Sequence, residues 1–248
     1  MPLTRVKALT FDFWNTLYSA DGGNWKEVGP IRMKALRAML VDAGLDPAED
    51  EIERVYRAGF EEYMASWNDC RHFGAVEEVD FFLHQFGVAR ESVDPAITAR
   101  AIRAIEEAAR LGVLPLLEGV TETILRLAAA GYKLGIISDT SLTPGRVLKE
   151  FLEADGLLQH FSVLTFSDET GYTKPDRRMF LQTLAGLGAD PAEAAHIGDT
   201  PRTDILGAKS VGMVAIRCAG VMDHAELPEA DFVIRDHREL TGILEELG

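Results

Sequence analysis

From Gly112 onward the chain alternates short apolar, β-prone runs with amphipathic stretches of about helical length, and this order constrains the fold more than any other feature. Strands separated by helices cannot be joined by tight hairpins. They pair in parallel, with the intervening helices laid across the sheet. Strands are predicted at 132–138 (YKLGIIS), 162–166, 194–198, 213–217 and 231–234, and helices at 144–155, 176–187, 202–211 and 237–246. The run at 6–13 (VKALTFDF) has the same character and belongs with these strands, although about a hundred residues intervene.

The intervening residues follow a different period. Met33, Leu36 and Leu40 fall at spacings of three and four, as do Ile52, Val55, Tyr56, Phe60 and Tyr63, then Val79, Phe82, Leu83 and Phe86, then Ile97, Ala101 and Ile105. Gly44, Gly87 and the steps Asp46-Pro47 and Asp94-Pro95 separate the four stretches as helix stops and starts. The expected organisation is an α/β core of residues 1–19 and 112–248, with an inserted all-α helical bundle at 20–111. The two linkers lie near 19–24 and 112–115.

Composition narrows the function. Hydrophobic residues make up 47% and charged residues 26%, as in an ordinary globular chain. No apolar run reaches the roughly 20 residues of a membrane helix, and the N-terminus lacks a signal-peptide pattern, so a cytoplasmic protein is expected. A net charge of -15 argues against nucleic-acid and anionic-membrane partners. The same charge means that an anionic substrate would need cations placed locally. Cys70 and Cys218 fit no metal-binding spacing and are expected to be ordinary reduced thiols.

In parallel α/β sheets, reactive groups collect where strands end. The predicted strand ends supply Asp12 with Asn15 and Thr16, then Ser138-Asp139, then Lys174-Pro175, then Asp199 with Asp204. Each has an ordinary reading alone, as a turn residue, a helix cap or a loop lysine. Together they supply a carboxylate nucleophile, a hydroxyl donor, a cation and a pair of acids. A carboxylate can attack phosphorus to form an acyl phosphate, while a lysine and a hydroxyl hold the transferring oxygens. Further acids suit a phosphate only if they hold a hard cation such as Mg²⁺.

FDFWNTL, GIISDT, Lys174-Pro175 and IGDTPRTD resemble, in order, the four motifs of the haloacid dehalogenase superfamily. The resemblance spans essentially the whole chain and implies a Rossmann-like core with a helical cap that closes over the site. It also implies that Asp12 is the nucleophile and that Ser138 and Lys174 hold the transferring group. By the same resemblance Asp199 ligates magnesium with Asp12 and the backbone carbonyl of Trp14, and Asp204 supports the metal directly or through water. Asn15, Thr16, Asp139 and, from the cap, Arg71 are candidates to meet the substrate, although Asp139 also has a structural reading.

Trp14 is the departure. Most phosphatases of the family carry a second aspartate there, as general acid and base, and an indole cannot shuttle a proton. The superfamily's dehalogenases have an aromatic residue at this position, need no metal, and largely replace the acids of the fourth motif. Retention of Asp199 and Asp204 favours a magnesium-dependent phosphatase of a small phosphorylated metabolite, with a preference for good leaving groups. The alternatives are a 2-haloacid dehalogenase-type hydrolase and a non-catalytic binder of a phosphorylated ligand. His196, inside a predicted strand, reads as a satisfied core residue. The sequence leaves the substrate and the oligomeric state open.

Overall fold

A computed structural model describes residues 6–20, 23, 25–223 and 227–247. Part of the expected first linker, residues 21, 22 and 24, therefore lies outside the described residues. The chain divides into two compact units. One comprises the described residues within 1–22, 114–139 and 149–248, and the other those within 23–113 together with 140–148.

The first unit holds a parallel sheet of six strands among the described residues, in the order β3-β2-β1-β4-β5-β6. These strands are β1 (Ala8–Phe11), β2 (Lys133–Ser138), β3 (Phe161–Phe166), β4 (Ala194–Gly198), β5 (Val214–Cys218) and β6 (Phe232–Ile234). The strand nearest the N-terminus is central, with β2 on one side and β4 on the other. All four residues of β1 are buried, as a strand covered on both faces requires.

The second unit carries α1 (Val28–Asp42), α2 (Glu49–Asn68), α3 (Ala75–Gln85) and α4 (Pro95–Glu107). Their apolar stripes meet in one core that includes Leu36, Leu40, Ile52, Val79, Phe82 and Ile105. The Asp94-Pro95 signal works as its chemistry dictates: Asp94 Oδ1 accepts from the Ala96 amide at 2.8 Å, and the proline stands at the first helical position.

Two features differ from the sequence expectation. A further helix, α5 (Val120–Ala129), precedes β2, with Val120, Ile124 and Leu127 buried along one side. Residues 140–148 group with the helical unit. There Arg32 donates to Thr143 Oγ1 at 2.7 Å, and Arg146 pairs with Glu106 at 2.6 Å. The remaining helices are α6 (Gly145–Ala154), the single turn α7 (Ser167–Thr170), α8 (Arg177–Leu187), α9 (Leu206–Val211) and α10 (Leu240–Glu246). No helix among the described residues is long and apolar enough to cross a membrane.

Candidate active site

The register of the sheet assembles the site. Phe11, the last residue of β1, pairs with Ile136 on one side and Ile197 on the other, so Asp12 emerges between the ends of β2 and β4. Its amide donates to Ile197 O at 2.8 Å, which extends the ladder by one bond and fixes the start of the next loop. Ser138, the last residue of β2, hydrogen-bonds the Asp12 carboxylate.

Lys174 comes from the loop between β3 and α8. Its amide donates to Asp139 Oδ1 at 2.9 Å, so the residue after the β2 end holds the lysine-bearing loop. The ammonium is 3% exposed and bridges two acids, at 2.7 Å from Asp12 Oδ1 and 2.6 Å from Asp204 Oδ1.

Asp199 follows β4 and accepts from Thr200 Oγ1 at 3.1 Å. Asp204 lies in the π-type turn Pro201–Ile205, a geometry common at functional sites. Its carboxylate takes four donors: Lys174 and His196 Nε2 (3.1 Å) on Oδ1, and the Thr200 amide (3.0 Å) and Thr203 Oγ1 (3.4 Å) on Oδ2. Gly198 makes the close approach possible, because a Cβ there would lie 2.2 Å from Asp204 Cγ.

Burial and crowding set the electrostatics. Desolvation raises Asp12 above its ordinary value, and the charge of Asp204 adds to that, against the opposing pull of Lys174. Burial pushes Asp139 up to about 7 and Asp199 up to about 8. Asp204 is also buried, but Lys174 and His196 outweigh that cost and hold it well below the usual carboxylate range. The lysine stays an ammonium because the acids around it more than offset its own desolvation. One lysine among Asp12, Asp139, Asp199 and Asp204 leaves negative charge unbalanced in a buried place. Ligand oxygens of Asp12, Asp199 and Asp204 lie within 4.8 Å of one another. An all-oxygen, charge-deficient set of this kind fits a hard divalent cation.

The loop after Asp12 holds the remaining sequence candidates of this unit. Trp14 is half-buried, with its ring edge-on to Phe13 at 5.2 Å. Asn15 adopts a left-handed backbone (φ 53°), and its Oδ1 accepts from the Ala20 amide at 3.2 Å, so its side chain shapes its own turn. Thr16 is buried, its carbonyl accepts from the His237 ring, and its hydroxyl has no hydrogen-bond partner among the described residues. Arg71 lies in the helical unit, exposed, with a 3.4 Å pairing to Asp69.

Sequence reasoning missed the role of His196. It is fully buried, as expected of a core residue, yet its Nε2 meets Asp204 and its Nδ1 lies 2.8 Å from Thr10 Oγ1. The available signal was the spacing from His196 to Asp204, which spans a strand end and one turn.

The profile of the haloacid dehalogenase-like hydrolases matches residues 6–212. A glyceraldehyde 3-phosphate phosphatase of Methanopyrus kandleri is 31% identical over 251 residues, covering 98% of each chain. Among solved structures, a HAD phosphatase from Thermococcus onnurineus superposes with a TM-score of 0.64 at 24% identity, over 96% of this chain and 98% of that one. A 2-haloacid dehalogenase from Pseudomonas syringae superposes with a TM-score of 0.69 at 20% identity, over 98% and 100%. At these identities the two structures speak to the fold.

Proposed function

This chain belongs to the haloacid dehalogenase-like hydrolase family, and from that premise we propose that it is a cytoplasmic phosphatase of a small phosphorylated metabolite that works through Asp12. The observation that carries this reading is the buried Lys174 between Asp12 and Asp204, with Asp199 close by. A carboxylate-binding dehalogenase gains nothing from two additional buried acids. A phosphatase that holds a metal does. The phosphatase names of curated relatives such as the Methanopyrus kandleri protein support the same choice.

In the proposed reaction an Asp12 carboxylate oxygen attacks phosphorus, the bond to the ester oxygen breaks, and the alcohol leaves as its alkoxide. Water then attacks the acyl phosphate, releasing inorganic phosphate and restoring the carboxylate. Lys174 and Ser138 hold the oxygens of the transferring group and oppose their growing charge. Magnesium, held by Asp12, Asp199 and the carbonyl of Trp14, would neutralise further charge on those oxygens. Asp204 keeps Lys174 in place. Asn15, Thr16 and Asp139 shape the loops around the phosphate, while the helical unit serves as a cap, with Arg71 as its candidate anion contact. Trp14 offers no proton to the departing alkoxide, so the substrate itself must leave readily.

The test is hydrolysis of p-nitrophenyl phosphate with magnesium or with EDTA, using Asp12→Asn as control, beside halide release from 2-chloropropionate. The expected result is magnesium-dependent phosphate release that disappears in the variant. Metal-independent halide release would replace the phosphatase with a dehalogenase. Phosphate-ester binding without turnover, unchanged in Asp12→Asn, would indicate a non-catalytic binder.

A further inference from the structure

Beneath the candidate site, an unbroken hydrogen-bonded line runs from the middle of the sheet to Asp204. Thr10 and His196 are direct partners in the register of β1 and β4, and both are fully buried. Thr10 Oγ1 lies 2.8 Å from His196 Nδ1, and His196 Nε2 lies 3.1 Å from Asp204 Oδ1. The ring is clamped edge-on by Phe180, with centroids 5.2 Å apart and planes at 80°. Phe180 itself belongs to an apolar core with Met179, Leu184 and Ile205. A leucine would suit that core without desolvating two ring nitrogens. Packing therefore does not explain the histidine.

The direction of the line follows from its far end. A carboxylate only accepts, so Nε2 must carry the hydrogen donated to Asp204. In its Nε2–H tautomer the ring offers Nδ1 as an acceptor to the Thr10 hydroxyl. The hydroxyl's other neighbour, the Ala195 carbonyl, stands at 3.5 Å, the outer limit of a hydrogen bond. Asp204 Oδ1 shares its remaining capacity with Lys174, which in turn meets Asp12.

We propose that Thr10 and His196 are positioning residues: a strut that locks the rotation of the Asp204 carboxylate and thereby holds Lys174 against the nucleophile. Neither residue touches the substrate. The strut acts because Nε2–H holds the oxygen that serves Lys174 at 2.6 Å, while the Thr200 amide and the Thr203 hydroxyl hold the other oxygen of the same carboxylate. Supporting hydrogen bonds of this kind are worth about 10- to 100-fold in activity. This inference rests on the phosphatase reading only for the activity it uses as readout.

The test exploits the two ring nitrogens. A glutamine amide nitrogen can replace Nε2, whereas an asparagine amide reaches only the place of Nδ1. His196→Gln is expected to keep kcat on p-nitrophenyl phosphate within about threefold of native. His196→Asn and His196→Leu are expected to lose about 10- to 100-fold in kcat, with little change in KM. Thermal melts accompany each variant. Where His196→Leu fails to fold, Thr10→Val, which keeps the branched shape and removes the donor, carries the comparison with a smaller loss in kcat. Independently of turnover, two-bond ¹H–¹⁵N correlation spectra are expected to show His196 as the Nε2–H tautomer.

The proposal is overturned if folded His196→Gln and His196→Asn are equally active, or if the ring is found as the Nδ1–H tautomer. If the native protein hydrolyses no phosphate ester, the phosphatase reading falls. The tautomer measurement, repeated in Asp204→Leu, which removes the acceptor, still tests the strut: the preference for Nε2–H is expected to weaken there, and an unchanged spectrum in the folded variant would refute the contact.

Discussion

At the residue scale, Trp14 is the position where local chemistry and the proposed reaction meet most sharply. It stands two residues past the nucleophile, half-buried and packed against Phe13, with only a donor N–H to offer. General acid–base catalysis contributes about 10² to 10⁴ in rate, so without it the native protein is expected to favour aryl or acyl phosphates over alkyl phosphates by a factor of that order. Trp14→Asp is expected to narrow the ratio of kcat/KM between p-nitrophenyl phosphate and glycerol 3-phosphate by about tenfold or more. A native protein that turns over both classes equally would show that the proton comes from elsewhere. The acids and the lysine could be singled out in the sequence because each follows a strand, at its end or in the loop beyond it, in a fixed order. His196 was not, because a buried histidine with partners and one without look alike in a sequence. Only the cross-strand register reveals Thr10 on one side of the ring and the turn to Asp204 on the other.

At the scale of elements, the four helices of the insertion were readable from their apolar spacing and from the stop and start signals between them. The ten-residue α5 escaped because Val120, Ile124 and Leu127 mark only two turns beside a stretch read as a linker. The placement of residues 140–148 escaped for another reason: it depends on contacts such as Arg32 with Thr143, across a separation that leaves no periodic trace.

The helical unit also carries a feature that hydrophobic spacing conceals. Glu78, on the buried face of α3, is desolvated so strongly that its pKa rises from 4.5 to about 7, in spite of the attraction of Arg32. The folded state thus keeps a proton that the unfolded chain gives up. The stabilising share is fully present below about 4.5 and is lost as pH rises from there to about 7. The change is on the order of 3 kcal/mol. Urea melts at stepped pH are expected to show that decline, and Glu78→Gln to flatten it. A decline of equal size in the variant would assign it to other groups.

At the scale of the whole molecule, one buried place gathers Asp12, Asp139, Asp199 and Asp204 around Lys174, and a bound divalent cation should therefore act on stability as well as on catalysis. A ligand that binds only the folded state at 100 times its Kd adds about 2.7 kcal/mol. For a chain of this size that corresponds to roughly 5 to 10 °C in melting temperature. Magnesium is expected to raise the melting temperature of the native protein, and Asp199→Asn to lose most of that gain. An equal rise in both would place the ion elsewhere.

The bridge at Lys174 has a consequence in the order in which the chain is made. Its two acids lie 162 and 30 residues away, one near the beginning of the chain and one well toward its end. A ribosome releases the nucleophile first, the lysine 162 residues later, and the acid that completes the pair 30 residues after that. A nascent chain that stops short of residue 204 therefore holds Asp12 and Lys174 without the group that divides the ammonium between them. Catalytic competence on this reading arrives late in synthesis and all at once, so an unfinished copy meets the cell's phosphate esters without the means to cleave them.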